Sequence, residues 1–177
     1  DSGNKFVWGI IDWDLKENIG NDFVKILGDK NRYSIENYIF DPLLLGALLL
    51  RQKVLSKSEL GLSENETFID LKRFDTNKLQ LISNSIVSKI KEKVTTTIDG
   101  VQNCELLNGK SIVIPKWYLH HQGHQLEDKI LETFPELNEL KRNKEEALKI
   151  EILDKIIDDL TEIVSTDILK IFKSIQE

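Results

Sequence analysis

Two aspartates that directly follow an apolar run are the residues of this sequence best suited to chemistry. Residues 6–11 have the β-branched and aromatic character of a buried strand in a parallel sheet, and Asp12 and Asp14 come next. Side chains two positions apart on a strand point to the same face, so both carboxylates can reach one ion. Carboxylates at the carboxyl end of such a strand are common ligands of Mg²⁺ or Mn²⁺, which predicts chemistry on phosphate esters. The alternative is a polar turn in which Asp12 caps the next helix.

A third carboxylate, Glu36, follows a second short strand predicted over residues 32–35. If both strands end at the same sheet edge, Glu36 lies near Asp14 and serves as a metal ligand or an orienting base. The alternative is that Glu36 and Asn37 satisfy backbone groups at a turn while the neighbouring tyrosines fill the core. The residues alone favour this alternative.

The three histidines of the chain, His120, His121 and His124, lie close together. His120 and His124 are four residues apart and would share one face of a helix, a spacing that can bind zinc. Gly123 interrupts that spacing and no glutamate follows His120, which disfavours zinc. A role for His124 beside a scissile phosphate, as proton donor or electrostatic clamp, is better motivated. The alternative is an ordinary turn that faces solvent.

Local signals predict the elements that position these residues. In the first half of the chain, helices are predicted over residues 16–27, where Gly28 ends the helix, from Asp41 and Pro42 onward, and briefly over 56–61. An amphipathic helix is predicted from Asp75 or Thr76 to about Lys93. A further helix is predicted over residues 125–134, before Pro135. The apolar face of the amphipathic helix consists of Leu79, Ile82, Ile86, Val87 and Ile90. Residues 65–75 are expected to be a loop.

The later strands and the C-terminal part complete the predicted order. Residues 94–98 have strand propensity, and residues 104–107 and 111–114 flank Asn108-Gly109, a strong hairpin signal that Pro115 ends. From Leu137 onward the chain is predicted to be helical, with a last helix capped by Thr166 or Asp167. Its apolar stripe consists of Leu153, Ile156, Ile157, Leu160 and Val164. This order predicts an α/β fold with a helical C-terminal cover and a β-hairpin insertion.

Composition narrows the class of protein. The 177 residues fit one domain, and a hydrophobic share of 40% is enough for a core. A single cysteine, Cys104, excludes an intrachain disulfide and a thiolate metal cluster, and we expect it to be buried. The longest apolar run, residues 42–50, is shorter than the roughly 18 residues of a membrane span. We therefore expect no membrane association and a cytoplasmic location.

The net charge of −6 is concentrated in the last part of the chain. Residues 127–177 carry fourteen acidic and eight basic side chains, and residues 1–126 carry sixteen of each. No broad basic surface is available for non-specific binding of nucleic acid. A polynucleotide substrate would need a metal, a local patch or a partner protein. The acidic C-terminal helices either cover the sheet or dock a basic partner.

The Asp-x-Asp after a strand, followed by Arg-Tyr-Ser-Ile-Glu-Asn-Tyr at residues 32–38, resembles the Toprim-related domain of bacterial proteins that accompany or are fused to ABC-type ATPases. That domain is similar to the Toprim half of the OLD-family nucleases, and several such systems act in anti-phage defence. The resemblance covers residues 6–49 and, more loosely, 117–137. It implies a Toprim-like (Rossmann-like), mostly parallel sheet flanked by helices. It also implies Mg²⁺-dependent or Mn²⁺-dependent cleavage of DNA or RNA as the effector of an ABC-type ATPase.

The resemblance assigns Asp12 and Asp14 as metal ligands and Glu36 as the acidic residue of the Glu-Asn-Tyr motif. The sequence departs from the family in two respects. Toprim domains begin with a strand that ends in glutamate, and none precedes Asp1, so we expect residues 1–177 to be a single Toprim-like domain that is a fragment without its first strand. The Gly-Lys pair that often precedes a late helix corresponds to Gly123-His124.

Two further interpretations belong to other classes. The domain could be a catalytically silent regulatory or interaction module that keeps the Toprim scaffold, which the absent glutamate strand and the acidic charge both favour. A receiver-like or haloacid-dehalogenase-like phosphatase would need a nucleophilic aspartate with downstream Thr or Ser and Lys, and that series is not found with suitable spacing. The choice between DNA and RNA and the oligomeric state, a homo-oligomer included, stay open.

Overall fold

The strands that the structure describes form two separate sheets of two strands each. The computed structural model describes residues 9–17, 23–141 and 146–176. Strand β1 (Gly9–Ile11) pairs in parallel with β2 (Val24–Ile26), and β3 (Val101–Glu105) pairs antiparallel with β4 (Ser111–Pro115). The predicted mixed α/β class is confirmed. Among the described residues, parallel pairing is confined to β1 and β2, so the larger, mostly parallel sheet that was predicted is not seen there.

Helices make up most of the rest of the described chain. The α-helices are α1 (Glu36–Ile39), α2 (Pro42–Arg51), α3 (Thr76–Lys91), α4 (Lys116–Leu119), α5 (Gly123–Thr133), α6 (Asn138–Lys141), α7 (Ala147–Ile152) and α8 (Asp167–Gln176). Short 3₁₀ turns occur at Leu27–Lys30, Ser58–Leu60, Phe68–Arg73, Pro135–Leu137 and Thr161–Ile163, and a π turn at Leu153–Ile157. No described helix combines the length and apolar character needed to cross a membrane.

The core forms where α2 packs on α3. The Asp41 side chain accepts a hydrogen bond from the Leu43 N–H at 2.9 Å, and Pro42 occupies the first turn, as predicted. Every residue of α2 from Pro42 to Leu49 is buried. The predicted apolar face of α3 is buried as well, and Asp75 caps that helix through the Lys78 N–H at 2.8 Å.

The hairpin forms around Asn108-Gly109 as predicted, although β3 begins at Val101, earlier than the sequence indicated. Cys104 is buried in it, and burial raises the pKa of its thiol to about 11. The strand predicted at residues 94–98 is wrong, because this segment has no regular structure. There the Thr96 hydroxyl accepts the Ile98 N–H at 3.0 Å, a local bond that competes with a strand ladder.

Three predictions for the N-terminal part are wrong in the described residues. The helix predicted over residues 16–27 contains β2 instead, because pairing with β1 overrides local propensity. Gly28 does not end a helix but lies in the turn after β2 with φ +63°. Ile10 and Ile11 of the predicted buried strand are 37% and 38% exposed, and residues 6–8 lie outside the described residues.

The strand predicted over residues 32–35 is also wrong, since the chain bends there into α1. The Asn37 side chain accepts hydrogen bonds from both the N–H and the hydroxyl of Ser34, at 3.1 Å each, and so closes a turn. The backbone of Tyr33 joins two other segments: its N–H donates to the Leu119 carbonyl and its carbonyl accepts the Asp14 N–H, both at 2.9 Å. The segment is therefore a connector between elements.

Beyond Leu137 the described chain is largely helical, as predicted, and α8 begins at Asp167. The predicted apolar stripe is only partly buried: Ile156 and Leu160 are fully buried, but Leu153 is 42% exposed. The π turn at Leu153–Ile157 explains the error, because its wider winding shifts the side chains away from the 3.6-residue period.

Candidate functional site

The carboxylates of Asp12 and Asp14 line one groove at the end of β1. The groove has a volume of about 680 Å³, and its other walls come from β1, the segment before α1, and α8. Both aspartates therefore line one space, although Asp14 lies in the turn after β1 and not on the strand. The structure places them just beyond the carboxyl end of a parallel strand, the usual position of ligand-binding residues in α/β sheets.

Asp12 is oriented by the segment that precedes α1. Its Oδ1 accepts the Ile35 N–H at 2.9 Å. Within residues 9–17, 23–141 and 146–176, no hydrogen bond or ion pair reaches its Oδ2. Burial raises the pKa of Asp12 more than the Ile35 N–H lowers it, and the negative charges of Glu36 and Asp14 raise it further. A cation bound at this carboxylate would relieve that unfavourable environment.

Asp14 lies at the surface in an uncommon backbone conformation. Its φ is +52° and that of Leu15 is +55°, the left-handed region in which residues other than glycine are infrequent. Oδ2 lies 3.2 Å from the Lys16 ammonium, whose side chain is 63% exposed. An ion pair this exposed contributes little to stability, so Lys16 can leave the carboxylate when another cation arrives.

Trp13, between the two aspartates, packs on the histidine segment. Its ring meets that of His120 edge-on at 5.1 Å, and its Nε1 donates to the Lys16 carbonyl at 3.1 Å. Burial, with the nearby Lys116 charge, lowers the pKa of His120. His120 therefore contributes to packing in its neutral form.

Glu36 lies in the first turn of α1 and is not among the residues that line the groove. Its Oε2 accepts the Ser34 hydroxyl at 2.7 Å, and its Oε1 lies 3.4 Å from the Lys149 ammonium. Burial alone would raise the pKa of Glu36, but the Ser34 hydroxyl and Lys149 outweigh it and hold the pKa below its ordinary value. Glu36 is thus kept ionised between α1 and α7.

The ammonium of Lys149 is the centre of a cluster that sequence reasoning did not find. It lies 3.0 Å from Glu146, 3.4 Å from Glu36 and 3.7 Å from Glu127, and its side chain is only 10% exposed. A lysine in an amphipathic helix usually faces solvent, so the residues around Lys149 gave no indication that its side chain would be buried.

Gly123 and His124 meet this cluster from α5. A Cβ on Gly123 would lie 2.5 Å from the Ser34 hydroxyl oxygen and 2.8 Å from Glu36 Oε2, so only glycine allows the helix to begin there. His124 Nε2 is 4.0 Å from Glu36 Oε1, and its side chain is 71% exposed. The structure therefore brings Glu36 and His124 together, on the α5 side and outside the aspartate groove.

The donor set suits one hard cation held by two carboxylates. In the parts of the chain that the structure describes, no group of three or more His, Cys, Asp or Glu side chains has a metal-binding arrangement. Among the described residues that line the groove are Asp12 and Asp14, but not Glu36. Two carboxylates remain sufficient for Mg²⁺, which usually keeps several of its waters.

A buried polar network holds the Arg-Tyr-Ser-Ile-Glu-Asn-Tyr motif in place. Arg32 donates to Asp41 Oδ2 at 2.7 Å and to the Asn37 carbonyl at 2.6 Å, and its guanidinium lies over the Tyr38 ring. Burial of Arg32 opposes its charge, but Asp41 outweighs burial and raises the pKa of the guanidinium. The Asn37 amide donates to the carbonyls of Tyr118 at 3.2 Å and of His121 at 2.9 Å. We call Arg32, Asn37, Asp41 and Tyr38 the anchor.

The sequence allowed two interpretations of this motif, a functional site or a structural turn, and the contacts of the anchor decide between them for Asn37. Asn37 satisfies backbone groups at a turn, and Tyr38 lies in the core, which confirms the structural alternative for these residues. The anchor also fixes the position of Ile35, whose N–H orients Asp12.

Comparisons with protein-family models, with curated protein sequences and with solved structures give no match to this chain. The likeness to Toprim-related domains therefore stays a prediction from the sequence. The function has to be argued from the groove and its residues.

Proposed function

We propose that this chain is a Toprim-like, metal-dependent nuclease domain that hydrolyses phosphodiester bonds of nucleic acid. One observation carries the proposal: Asp12 and Asp14 line the same open groove directly after a parallel strand. The α/β class, the parallel pair and the position of the carboxylates are compatible with the Toprim resemblance. On that resemblance, we further propose that the domain is the cytoplasmic effector of an ABC-type ATPase in anti-phage defence.

Asp12 and Asp14 are the residues that would hold Mg²⁺ or Mn²⁺. The bound ion would supply electrophilic stabilisation of the phosphate and a more acidic water. The Ile35 N–H holds Asp12 through Oδ1, and Lys16 can move from Asp14 to a phosphate oxygen.

In the hydrolysis, a water oxygen bonds to phosphorus while the bond from phosphorus to the leaving oxygen breaks. The attacking water loses a proton to solvent, and the leaving oxygen gains one. Glu36 and His124 lie beside each other outside the groove, so neither lines the space where the phosphate would react. The roles proposed for them, an orienting carboxylate for Glu36 and a proton donor or electrostatic clamp for His124, would require a substrate that extends from the groove to the α5 side.

A catalytically silent regulatory module is the second candidate. The observation that favours it is the Lys16–Asp14 ion pair, because an internal cation already neutralises one of the two carboxylates. In this case the scaffold binds its ATPase or another protein and requires no divalent ion.

Calorimetric titration with Mn²⁺ tests the two candidates. We expect the parent chain to bind one ion, and the Asp12→Asn/Asp14→Asn variant to lose that binding. The matched control is Asp154→Asn/Asp158→Asn, which removes two exposed carboxylates that do not line the groove and should bind as the parent does. The parent and the control should cleave a fluorescent oligonucleotide with Mg²⁺ or Mn²⁺, and the Asp12→Asn/Asp14→Asn variant should not. A parent chain that neither binds Mn²⁺ nor cleaves would support the silent module.

A further inference from the structure

The groove that holds Asp12 and Asp14 has an open apolar wall. Ile10 is 37% exposed, Ile11 38%, Ile35 40% and Phe172 of α8 50%. Side chains of this kind are usually buried, and here they lie next to two carboxylates in one concavity. Such a concentration of exposed apolar surface marks a binding surface.

The charge of the groove argues against contact with an extended row of phosphates, as in a duplex, and limits contact with a single strand to about one nucleotide. Lys16 is the single cation among the described residues that line it, and Lys16 is paired with Asp14. Proteins hold duplex backbones through rows of lysine and arginine that neutralise successive phosphates. The described lining offers no such row, and the whole chain carries a net charge of −6.

The combination of an apolar wall and an acidic end matches a single unpaired nucleotide. An unstacked base has an apolar face that packs on aromatic and aliphatic side chains whatever its sequence. Its phosphate lies on the other side of the sugar, where a divalent ion between two carboxylates would bind it. A volume of about 680 Å³ falls within the range of roughly 300–1,000 Å³ for sites that take small organic groups.

We propose that the groove binds single-stranded nucleic acid, with one base against Phe172 and the β1 isoleucines and the adjacent phosphate at a divalent ion that Asp12 and Asp14 would hold. This inference rests on the proposed nuclease function and narrows its substrate class. Phe172 is the specificity residue, because its half-exposed ring can stack on an unpaired base.

Fluorescence anisotropy with Ca²⁺ in place of Mg²⁺ measures binding apart from cleavage. The probes are a labelled 12-nucleotide single strand and the duplex of the same sequence. We expect the parent to bind the single strand more tightly, and Phe172→Ala to weaken that binding about tenfold. Phe172→Tyr keeps an aromatic ring and should restore affinity to within about twofold. Leu169→Ala removes a neighbouring exposed side chain of α8 that does not line the groove, so it serves as the matched control.

The outcomes separate this inference from the proposed function. Equal or tighter binding of the duplex, or no binding of either probe by a chain that still binds Mn²⁺, overturns the inference and leaves the metal site intact. If the parent chain does not bind Mn²⁺, the proposed function itself is overturned. If Phe172→Ala dissociates a dimer in sedimentation velocity and leaves single-strand affinity unchanged, the wall is an interface between copies, which also overturns the inference.

Discussion

The anchor and the aspartate pair are linked through the segment at Ile35, yet they use charge in opposite ways. In the anchor, the side chains of Arg32 and Asp41 are 0% and 3% exposed. In the groove, the corresponding values for Lys16 and Asp14 are 63% and 35%. The buried pair cannot exchange partners without leaving a charge in the core, whereas the exposed pair can. The buried Arg32–Asp41 pair holds the structure in one arrangement, whereas the exposed Lys16–Asp14 pair leaves a carboxylate available for chemistry.

The two regions are connected through one short segment. Asn37 of the anchor closes the turn around Ser34, and the next residue, Ile35, donates its N–H to Asp12. The rigid region therefore holds one ligand of the open region in position. This division indicates that stability and metal binding should respond to different substitutions.

The largest effect is expected from Arg32→Met. It leaves Asp41 ionised and unpaired in the core, and should lower the free energy of unfolding by about 3–5 kcal/mol in urea denaturation. Arg32→Met with Asp41→Asn is the matched variant: asparagine still caps α2 but carries no charge, so part of the lost stability should return. A change below about 1 kcal/mol in the single variant would contradict the description of the anchor as a rigid centre.

A smaller but still large effect is expected from Gly28→Ala, in the turn after β2, because the new Cβ would clash with Tyr38 of the anchor. An added Cβ would lie 1.4 Å from the hydroxyl oxygen of Tyr38, and φ is +63°. Gly61→Ala is the matched control, with φ +69° and no atom within 4 Å of the added Cβ. Both variants carry the left-handed penalty of about 1–2 kcal/mol, and Gly28→Ala should lose about 1–3 kcal/mol more from overpacking. Equal thermal midpoints for the two variants would show that the Tyr38 contact relaxes freely.

A third, smaller effect concerns the acid side of the stability curve. The folded state lowers the pKa of Glu36 from its ordinary 4.5, so Glu36 adds stability above pH 4.5 that is lost as the pH falls below it. Between pH 7 and pH 3, the free energy of unfolding of Glu36→Gln should therefore fall less than that of the parent. Urea midpoints measure this difference. Ser34→Ala, which removes one hydrogen bond to the carboxylate, should fall between the two. Identical pH profiles for all three chains would contradict the assigned cause.

Elements that depend on local signals were predictable from the sequence. The N-caps Asp41 and Asp75 and the apolar period of α3 mark helices whatever the rest of the chain does, and Asn108-Gly109 marks a hairpin in the same way. Strand alternation does not account for the groove that Asp12 and Asp14 share, because β1 ends at Ile11 and Asp14 has φ +52° in the turn that follows.

Elements that depend on distant partners were not predictable. β2 exists because β1 lies beside it, and the bend before α1 exists because Tyr33 bonds to both Leu119 and Asp14. Lys149 is the clearest case, since it meets Glu36 across 113 positions of sequence. No periodicity or turn signal encodes a contact of that range, so the cluster behind Glu36 could be found only in three dimensions.

The smallest effect on stability, and the sharpest test of the comparison, is expected from Asp14→Asn. It removes only an exposed ion pair, so the free energy of unfolding should change by less than about 0.5 kcal/mol. Mn²⁺ affinity measured by calorimetry should nevertheless fall, because a carboxylate ligand becomes a neutral amide. Lys16→Gln is the counterpart: it frees the same carboxylate from its internal cation and should bind Mn²⁺ more tightly than the parent, with equally little change in stability. If both variants shifted stability as strongly as Arg32→Met and left Mn²⁺ binding unchanged, Asp14 would belong to the structural network rather than to an open site.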